Sequence, residues 1–160
     1  MLTGLAARPP GGRVLWLAGV VLAGCAARMP RVTPGPLAGG LGPFLASHPL
    51  AAGQAIRADE VGRTAGASYH LVQACGSERP HRHATHDLTA VVLQGRGALV
   101  QESGRTPMAP GDAAVVPRGT THWFAPDAGT CAAALVVFTP PLDAPDVVPV
   151  GSIDSPAGGR

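Results

Sequence analysis

Three histidines carry the clearest chemical signal in this 160-residue chain. His81 and His83 are two residues apart, and in a β-strand that spacing turns both imidazoles to the same face. Two imidazoles on one strand are half of a metal site. His122 follows a second turn-rich stretch and supplies a third imidazole. We therefore predict that His81, His83 and His122 converge on one metal ion.

The segments around these histidines consist of short runs of β-forming residues. The runs cover residues 68–75, 88–93, 97–102, 112–116, 122–125 and 132–139. Turn signals such as Gly95 and the Pro110-Gly111-Asp112 step separate them. Many short strands with regular turns are typical of an all-β sandwich or barrel. A helical turn is expected only near residues 57–62.

The stretch that ends at His122 resembles a known sequence motif. Gly111, Pro117, Gly119 and His122 match the second motif of the cupin superfamily position by position, although Pro126 stands where that motif usually ends in Asn. The resemblance covers residues 54–140 and implies a single cupin-type jelly-roll β-barrel. It also implies one bound divalent metal ion, and nitrogen and oxygen ligands suit Fe, Mn, Ni, Cu or Zn.

The region of His81 and His83 resembles the first cupin motif but lacks its usual glutamate. Counting back from Gly95, the glutamate position falls on Leu88, which cannot bind a metal. His86 shares the strand parity of Leu88, whereas Asp87 would reach the site only if a bulge rotates the chain. Both His86 and Asp87 therefore remain candidate fourth ligands, with a slight preference for His86.

The same resemblance predicts the wall of a pocket beside the metal. Phe124 shares strand parity with His122, and Ala90 and Val92 share parity with Leu88. A wall of such side chains would be small and apolar, which suits a small-molecule ligand. We expect His48 to lie at the surface and His70 to be a strand residue with a local partner, and we assign neither a function.

Two cysteines, Cys75 and Cys131, flank the motif region. In the jelly roll that the resemblance implies, Cys75 ends one strand and Cys131 begins its antiparallel neighbour. An exported domain would meet an oxidising compartment. A disulfide between Cys75 and Cys131 is therefore a hypothesis, and its alternative is two buried thiols.

The amino terminus has the pattern of an export signal. Arg8 and Arg13 precede an apolar run over residues 14–22, which is too short to cross a bilayer. The sequence Leu22-Ala23-Gly24-Cys25 matches the lipobox of bacterial lipoproteins. The match implies cleavage before Cys25, acylation of Cys25 and membrane anchoring. We expect a periplasm-facing lipoprotein of the bacterial envelope, in the outer membrane rather than the inner one.

Proline and glycine content divides the rest of the chain. We predict a signal peptide over residues 1–24, a lipid-anchored tether over 25–53, a barrel over 54–140 and a loose tail over 141–160. Residues 26–44 contain too much proline and glycine for a packed element, and the tail has a similar composition.

The charge balance argues against a nucleic-acid partner. The chain has 12 basic and 10 acidic residues, and removal of the signal peptide takes away two arginines, which leaves the mature part near neutrality. The favoured function is an envelope-anchored protein that binds one divalent metal in a small apolar pocket. A metal-dependent dioxygenase or isomerase and a structural cupin without metal are alternatives, and a homodimer is a possible assembly.

Overall fold

The computed structural model describes residues 40–151, which form one short helix and ten β-strands. The elements are α1 (Leu41–Ser47), β1 (Ile56–Arg63), β2 (Ser68–Ala74), β3 (His81–His83), β4 (Asp87–Gln94), β5 (Gly97–Gln101), β6 (Gly104–Met108), β7 (Ala113–Val116), β8 (His122–Pro126), β9 (Ala132–Thr139) and β10 (Val147–Pro149). Within these residues, no helix is long and apolar enough to cross a membrane.

The strands form two five-stranded antiparallel sheets. One sheet has the order β1-β2-β9-β4-β7, and the other has the order β10-β3-β8-β5-β6. Inward side chains of both sheets enclose a shared interior, which is the arrangement of a jelly roll. The all-β prediction is confirmed, and the strands expected from the runs between residues 68 and 139 are present, with ends that differ by a residue or two.

The helical turn expected near residues 57–62 is wrong, because this segment is the edge strand β1. It pairs with β2 from Ile56 opposite Ala74 to Arg63 opposite Ser68, with an irregularity between Glu60 and Gly62. The charged side chains of this segment pair with one another on the surface of the strand, as Arg57 does with Asp59 at 2.8 Å. Pairing with β2 decides the conformation, and such tertiary context often overrides local propensity.

The tether predicted over residues 25–53 contains a packed helix, α1. Leu41 and Phe44 lie three residues apart on one helix face and are buried against Val61 and Leu71. Pro43 is tolerated because it lies in the first helical turn, where its missing N–H has no intrahelical acceptor. The domain therefore begins before residue 54, since burial of two large apolar side chains compensates for the poor helix propensity of the segment.

The first part of the tail predicted over residues 141–160 is ordered in the structure, whereas residues 152–160 lie outside the described residues. Strand β10 pairs with β3, with Val147 opposite His83 and Pro149 opposite His81. The preceding loop is held by Ser68, whose Oγ accepts a hydrogen bond from the N–H of Leu142 at 2.9 Å. The carboxy-terminal part of the described chain is thus integrated into the barrel next to the histidine strand.

A disulfide joins Cys75 to Cys131 in the structure. The two residues extend the register of β2 and β9 by one position, beyond the pair of Ala74 and Ala132, and their Cα atoms are 4.1 Å apart. Gly95 lies against this link with a φ of 76°, and a Cβ at that position would collide with the backbone of Cys131. Only glycine therefore fits the turn that follows β4.

Candidate metal centre

His81, His83 and His122 lie together because two adjacent strands present them to the barrel interior. His81 on β3 is directly opposite His122 on β8, and His83 is two residues further along the same face. One ring nitrogen from each residue lies within 4.8 Å of the others. The ring centroids are 4.5 Å apart for His81 and His122 and 5.5 Å apart for His83 and His122.

Hydrogen bonds fix the same tautomer in all three imidazoles. Nδ1 of His81 lies 2.8 Å from the carbonyl oxygen of Arg79, and Nδ1 of His122 lies 2.9 Å from that of Thr120. Nδ1 of His83 lies 2.7 Å from Oδ1 of Asp146. A carbonyl or carboxylate oxygen can only accept, so each Nδ1 carries the proton and donates it. The lone pair of each Nε2 is therefore available to a ligand.

Burial keeps His122 neutral. Its side chain is 4% exposed, and burial lowers its pKa from 6.5 to about 4; the hydrogen bond to Thr120 opposes this shift, and the neighbouring His81 and His83 add to it. A neutral imidazole has the lone pair that a metal ligand requires, whereas a protonated one does not. The site is therefore prepared for a cation at neutral pH.

Asp146 organises the side of the site around His83. Its Oδ2 lies 2.5 Å from Nδ1 of His86 and accepts hydrogen bonds from the N–H and hydroxyl of Thr85 at 3.1 and 3.0 Å. Burial alone would raise the pKa of Asp146, but these hydrogen bonds and the one from His83 outweigh it and hold the pKa well below its usual range. Asp146 is therefore an ionised acceptor for His83.

Asp146 is not among the site residues predicted from the sequence, because it lies in the segment expected to be loose. The main chain on the other side of His83 is fixed as well, since the N–H of Gly119 donates to the carbonyl oxygen of His83 at 2.7 Å. Gly119 has a φ of 79°, a conformation that glycine adopts without strain. The turn of the second motif therefore helps to place a ligand of the first.

Neither candidate fourth ligand joins the triad in the structure. Both ring nitrogens of His86 face protein oxygens. Nδ1 faces Oδ2 of Asp146, and Nε2 lies 3.2 Å from the carbonyl oxygen of Pro141. Asp87 pairs instead with Arg118 at 2.7 Å, and its side chain is 42% exposed. Strand alternation explains this orientation, since Leu88 points inward and its neighbour on β4 points away. The expectation of a fourth ligand from His86 or Asp87 is thus corrected.

The triad opens onto a cavity of about 300 Å³ between the sheets. The four residues expected in its wall, Leu88, Ala90, Val92 and Phe124, all line it. Gly97 leaves room for the ring of Phe124, because a Cβ there would lie 2.5 Å from its Cζ. Most other lining residues are aliphatic, so a polar ligand group would find few partners outside the triad.

Three lining residues outside the triad carry polar groups: His70, Glu78 and Asp146. His70 does have the local partner that the sequence reasoning expected, because its Nε2 lies 2.9 Å from Oγ of Ser68. Its place on the cavity wall was not expected. Alternation along β2 could have indicated it, since His70 and Val72 share one strand face.

The donor set fits a divalent first-row transition metal. Three imidazoles whose Nδ1 atoms are engaged in hydrogen bonds offer their Nε2 atoms as ligands, and imidazole nitrogen suits Fe, Mn, Ni, Cu or Zn. Imidazole ligands of metals usually donate their other N–H to a carbonyl or carboxylate oxygen, as all three do here. Three protein ligands would leave coordination positions for water or a ligand.

Comparison with known proteins identifies the family. A model of the cupin domain matches residues 68–138. A protein of Aquifex aeolicus, strain VF5, named only as an uncharacterized protein, is 36% identical over 95 residues, which are 59% of this chain and 78% of that relative. The chain belongs to the cupin family. His81 and His83 of this cupin lie in the segment that resembles the first motif of the family, and His122 lies in the segment that matches the second motif.

Solved structures of other proteins are similar to this chain. Streptomyces PAC13, in a structure with uridine, is 19% identical, with a TM-score of 0.52 over 62% of this chain and 82% of that one. A sugar phosphate isomerase of the cupin superfamily from Silicibacter pomeroyi is 28% identical, with a TM-score of 0.48 over 53% of this chain and 59% of that one. The similarity to the Streptomyces protein establishes a common fold and nothing more specific.

Proposed function

We propose that this cupin binds one divalent metal ion through Nε2 of His81, His83 and His122 and holds a small, mainly apolar ligand beside it. The shared tautomer of the three imidazoles is the observation that carries the proposal, because it leaves one unprotonated ring nitrogen on each member of a cluster whose ligand atoms lie within 4.8 Å of one another. The cavity of about 300 Å³ lies at the small end of the range for ligand sites.

Different residues of the chain would bind the ion, orient the imidazoles and enclose the ligand. A bound ion would supply Lewis acidity and an open coordination position. Asp146 and the two backbone carbonyls keep the imidazoles oriented. Leu88, Val92 and Phe124 exclude water from the cavity and favour an apolar ligand body.

Elemental analysis of the protein purified from its own cell envelope tests the metal site. We expect about one equivalent of a transition metal per chain. His81→Ala and His122→Ala should each lose it, whereas His48→Ala should retain it because His48 lies at the end of α1, outside the triad. Circular dichroism must show that each variant is folded. A folded, metal-replete wild-type protein without stoichiometric metal would contradict the proposal and favour a structural cupin.

A metal-dependent enzyme acting on small molecules is a second candidate, and Glu78 is the observation that favours it. Oε2 of Glu78 accepts a hydrogen bond from the N–H of Phe124 at 2.8 Å, and the N–H of Glu78 donates to the carbonyl oxygen of Phe124 at 2.9 Å. The described residues provide no hydrogen-bond partner for Oε1. A carboxylate held in this way on the wall of a metal cavity could accept a proton from a bound molecule.

Solvent deuterium exchange can test this second candidate. The zinc-loaded protein would be incubated in D₂O with 5-oxohexanoate, and NMR would follow exchange of the hydrogens next to the ketone. Acid–base chemistry at Glu78 requires faster exchange with wild-type protein than with Glu78→Gln at equal zinc content. Equal rates for the two proteins would count against the enzyme.

We also propose that the protein is anchored in the bacterial envelope through acylated Cys25. The lipobox at Leu22-Ala23-Gly24-Cys25 supports this proposal, and these residues lie outside the part of the chain that the structure describes. Metabolic labelling with a palmitate analogue should mark the wild-type protein. Cys25→Ala should lose the label and the membrane association, whereas the Cys75→Ser, Cys131→Ser double variant should retain both. Lipid on Cys25→Ala would refute the assignment.

A further inference from the structure

His70 is a buried polar group on the cavity wall that the metal site does not use. Its side chain is 7% exposed and lies on β2, on the sheet that does not carry the triad. The ring of Phe138 packs edge-to-face against both His70 and His83, with ring centroids 5.2 Å from His70 and 5.1 Å from His83. The two imidazoles therefore cannot be further apart than these two distances together, which is within the reach of one small ligand.

The hydrogen bonds of Ser68 determine which nitrogen of His70 carries the proton. Oγ of Ser68 accepts a hydrogen bond from the N–H of Leu142 and lies 2.9 Å from Nε2 of His70. Ser68 is completely buried, so its hydroxyl hydrogen needs an acceptor, and Nε2 is the one within reach. Ser68 therefore donates to Nε2, and neutral His70 carries its proton on Nδ1.

The N–H at Nδ1 of His70 is open to the cavity. Nδ1 has no hydrogen-bond partner among residues 40–151, yet no fully buried side-chain nitrogen or oxygen in this part of the chain lacks a partner. Nδ1 therefore retains accessible surface, and His70 lines the cavity. Burial lowers the pKa of His70, although the nearby Glu60 opposes the shift, so the ring is a neutral donor.

We propose that the cavity takes a ligand with two oxygen acceptors, of which one binds at the triad and the other, an uncharged oxygen, accepts a hydrogen bond from Nδ1 of His70. This inference rests on the proposed metal site. The apolar wall between the two ends selects a hydrocarbon body. The distal oxygen is uncharged, as in a ketone, amide or ether, because burial of an anion in a mainly aliphatic cavity beside a neutral donor carries a desolvation cost that no buried cation among the described lining residues offsets there.

A pair of probes of similar length tests the inference on the zinc-loaded full chain. Hexanoate offers a carboxylate for the metal, and 5-oxohexanoate adds a ketone oxygen. Isothermal titration should show 5-oxohexanoate binding to the wild type about two- to tenfold more tightly than hexanoate, which is the effect of one net hydrogen bond. His70→Leu should reduce this ratio to about one, and Val72→Ala, which widens the same wall without changing a donor, should preserve it.

The outcomes separate the two proposals. If both probes bind but their ratio is about one in the wild type, or is unchanged in His70→Leu, the inference about His70 is wrong and the metal site remains. If zinc is not retained, or neither probe binds, the proposed function fails and the inference fails with it.

The tautomer can be measured without metal or ligand. ¹⁵N NMR of the imidazoles in the metal-free full chain should find His70 protonated at Nδ1 and unprotonated at Nε2, and Ser68→Ala should shift the tautomer equilibrium. A proton on Nε2 in the wild type would overturn the inference even if His70→Leu does not fold.

Discussion

Two regions of the barrel carry metal-binding types of side chain: the strand pair β3 and β8, and the start of β4. Only the first region leaves these side chains free to bind a metal. His81, His83 and His122 keep one ring nitrogen free, whereas both nitrogens of His86 face protein oxygens and Asp87 is paired with Arg118. All five are metal-binding residue types. The difference shows that the partners of a residue, more than its type or its place in a motif, decide whether it can be a ligand here.

Substitutions in the triad and substitutions at the start of β4 should differ most in their effect on metal binding. His83→Ala should abolish stoichiometric metal binding, because a two-imidazole remnant is a weak site. His86→Gln and Asp87→Asn should each retain one metal ion per chain, because neither side chain faces the triad. Elemental analysis with a competition assay for affinity measures this. Loss of metal from a folded His86→Gln protein would show that His86 rotates into the site when a metal binds.

Removal of Asp146 should leave Nδ1 of His83 without the acceptor that orients its ring. Asp146→Ala should weaken metal affinity by about 10- to 100-fold, the usual effect of losing an outer partner of a histidine ligand. Asp146→Asn should lose less, because its amide oxygen can still accept from His83. Comparison with His86→Gln separates an effect through His83 from one through His86. An unchanged affinity in Asp146→Ala would remove Asp146 from the site.

The stability of the metal-free protein should depend on pH through His122. The pKa of His122 is about 4 when folded and near 6.5 when unfolded, so the unfolded state takes up more protons between these values. The contribution of neutral His122 to the free energy of unfolding is fully present above about pH 6.5. It decreases as the pH falls towards 4, and at pH 5 it is smaller by roughly 2 kcal/mol. Denaturant unfolding at pH 7 and pH 5 should show a smaller loss in His122→Phe. An NMR midpoint for His122 near 6.5 would contradict this account.

The surface pair at β4 should show the smallest effect. Hydrogen bonds from Arg118 hold the pKa of Asp87 at about 2, below its ordinary 3.8. In Arg118→Gln the carboxyl should titrate closer to 3.8, as followed by ¹³C NMR, while metal content remains unchanged. A changed metal affinity in this variant would link Asp87 to the triad after all.

The sequence was sufficient to predict the barrel, the triad and the apolar wall, because strand alternation and the two motifs place them locally. Asp146 could not be found in this way, since it reaches His83 only when β10 pairs with β3. The hydrogen bond of His86 to Asp146 depends on the same contact, so it could not be predicted from the sequence either. Helix α1 was missed because its stability comes from burial of Leu41 and Phe44, against a local composition that disfavours helices.

His70 illustrates a different limit. Its strand, its face and its local partner could be predicted from the sequence pattern. Its closeness to the triad is seen only in the shared contact with Phe138, which lies more than sixty residues later in the chain. A role for His70 becomes visible only when both sheets are assembled around the same interior.

The position of Asp146 near the end of the barrel has a consequence for the order of assembly. During synthesis or export, His81, His83 and His122 all emerge before the carboxylate that holds one of them. A chain that ended at residue 145 would contain every imidazole of the centre and would still lack a partner for Nδ1 of His83. The hydrogen bond that orients His83 therefore forms only after Asp146 has been synthesised and β10 has joined the sheet, so that an ion held by an oriented triad would report synthesis beyond residue 146.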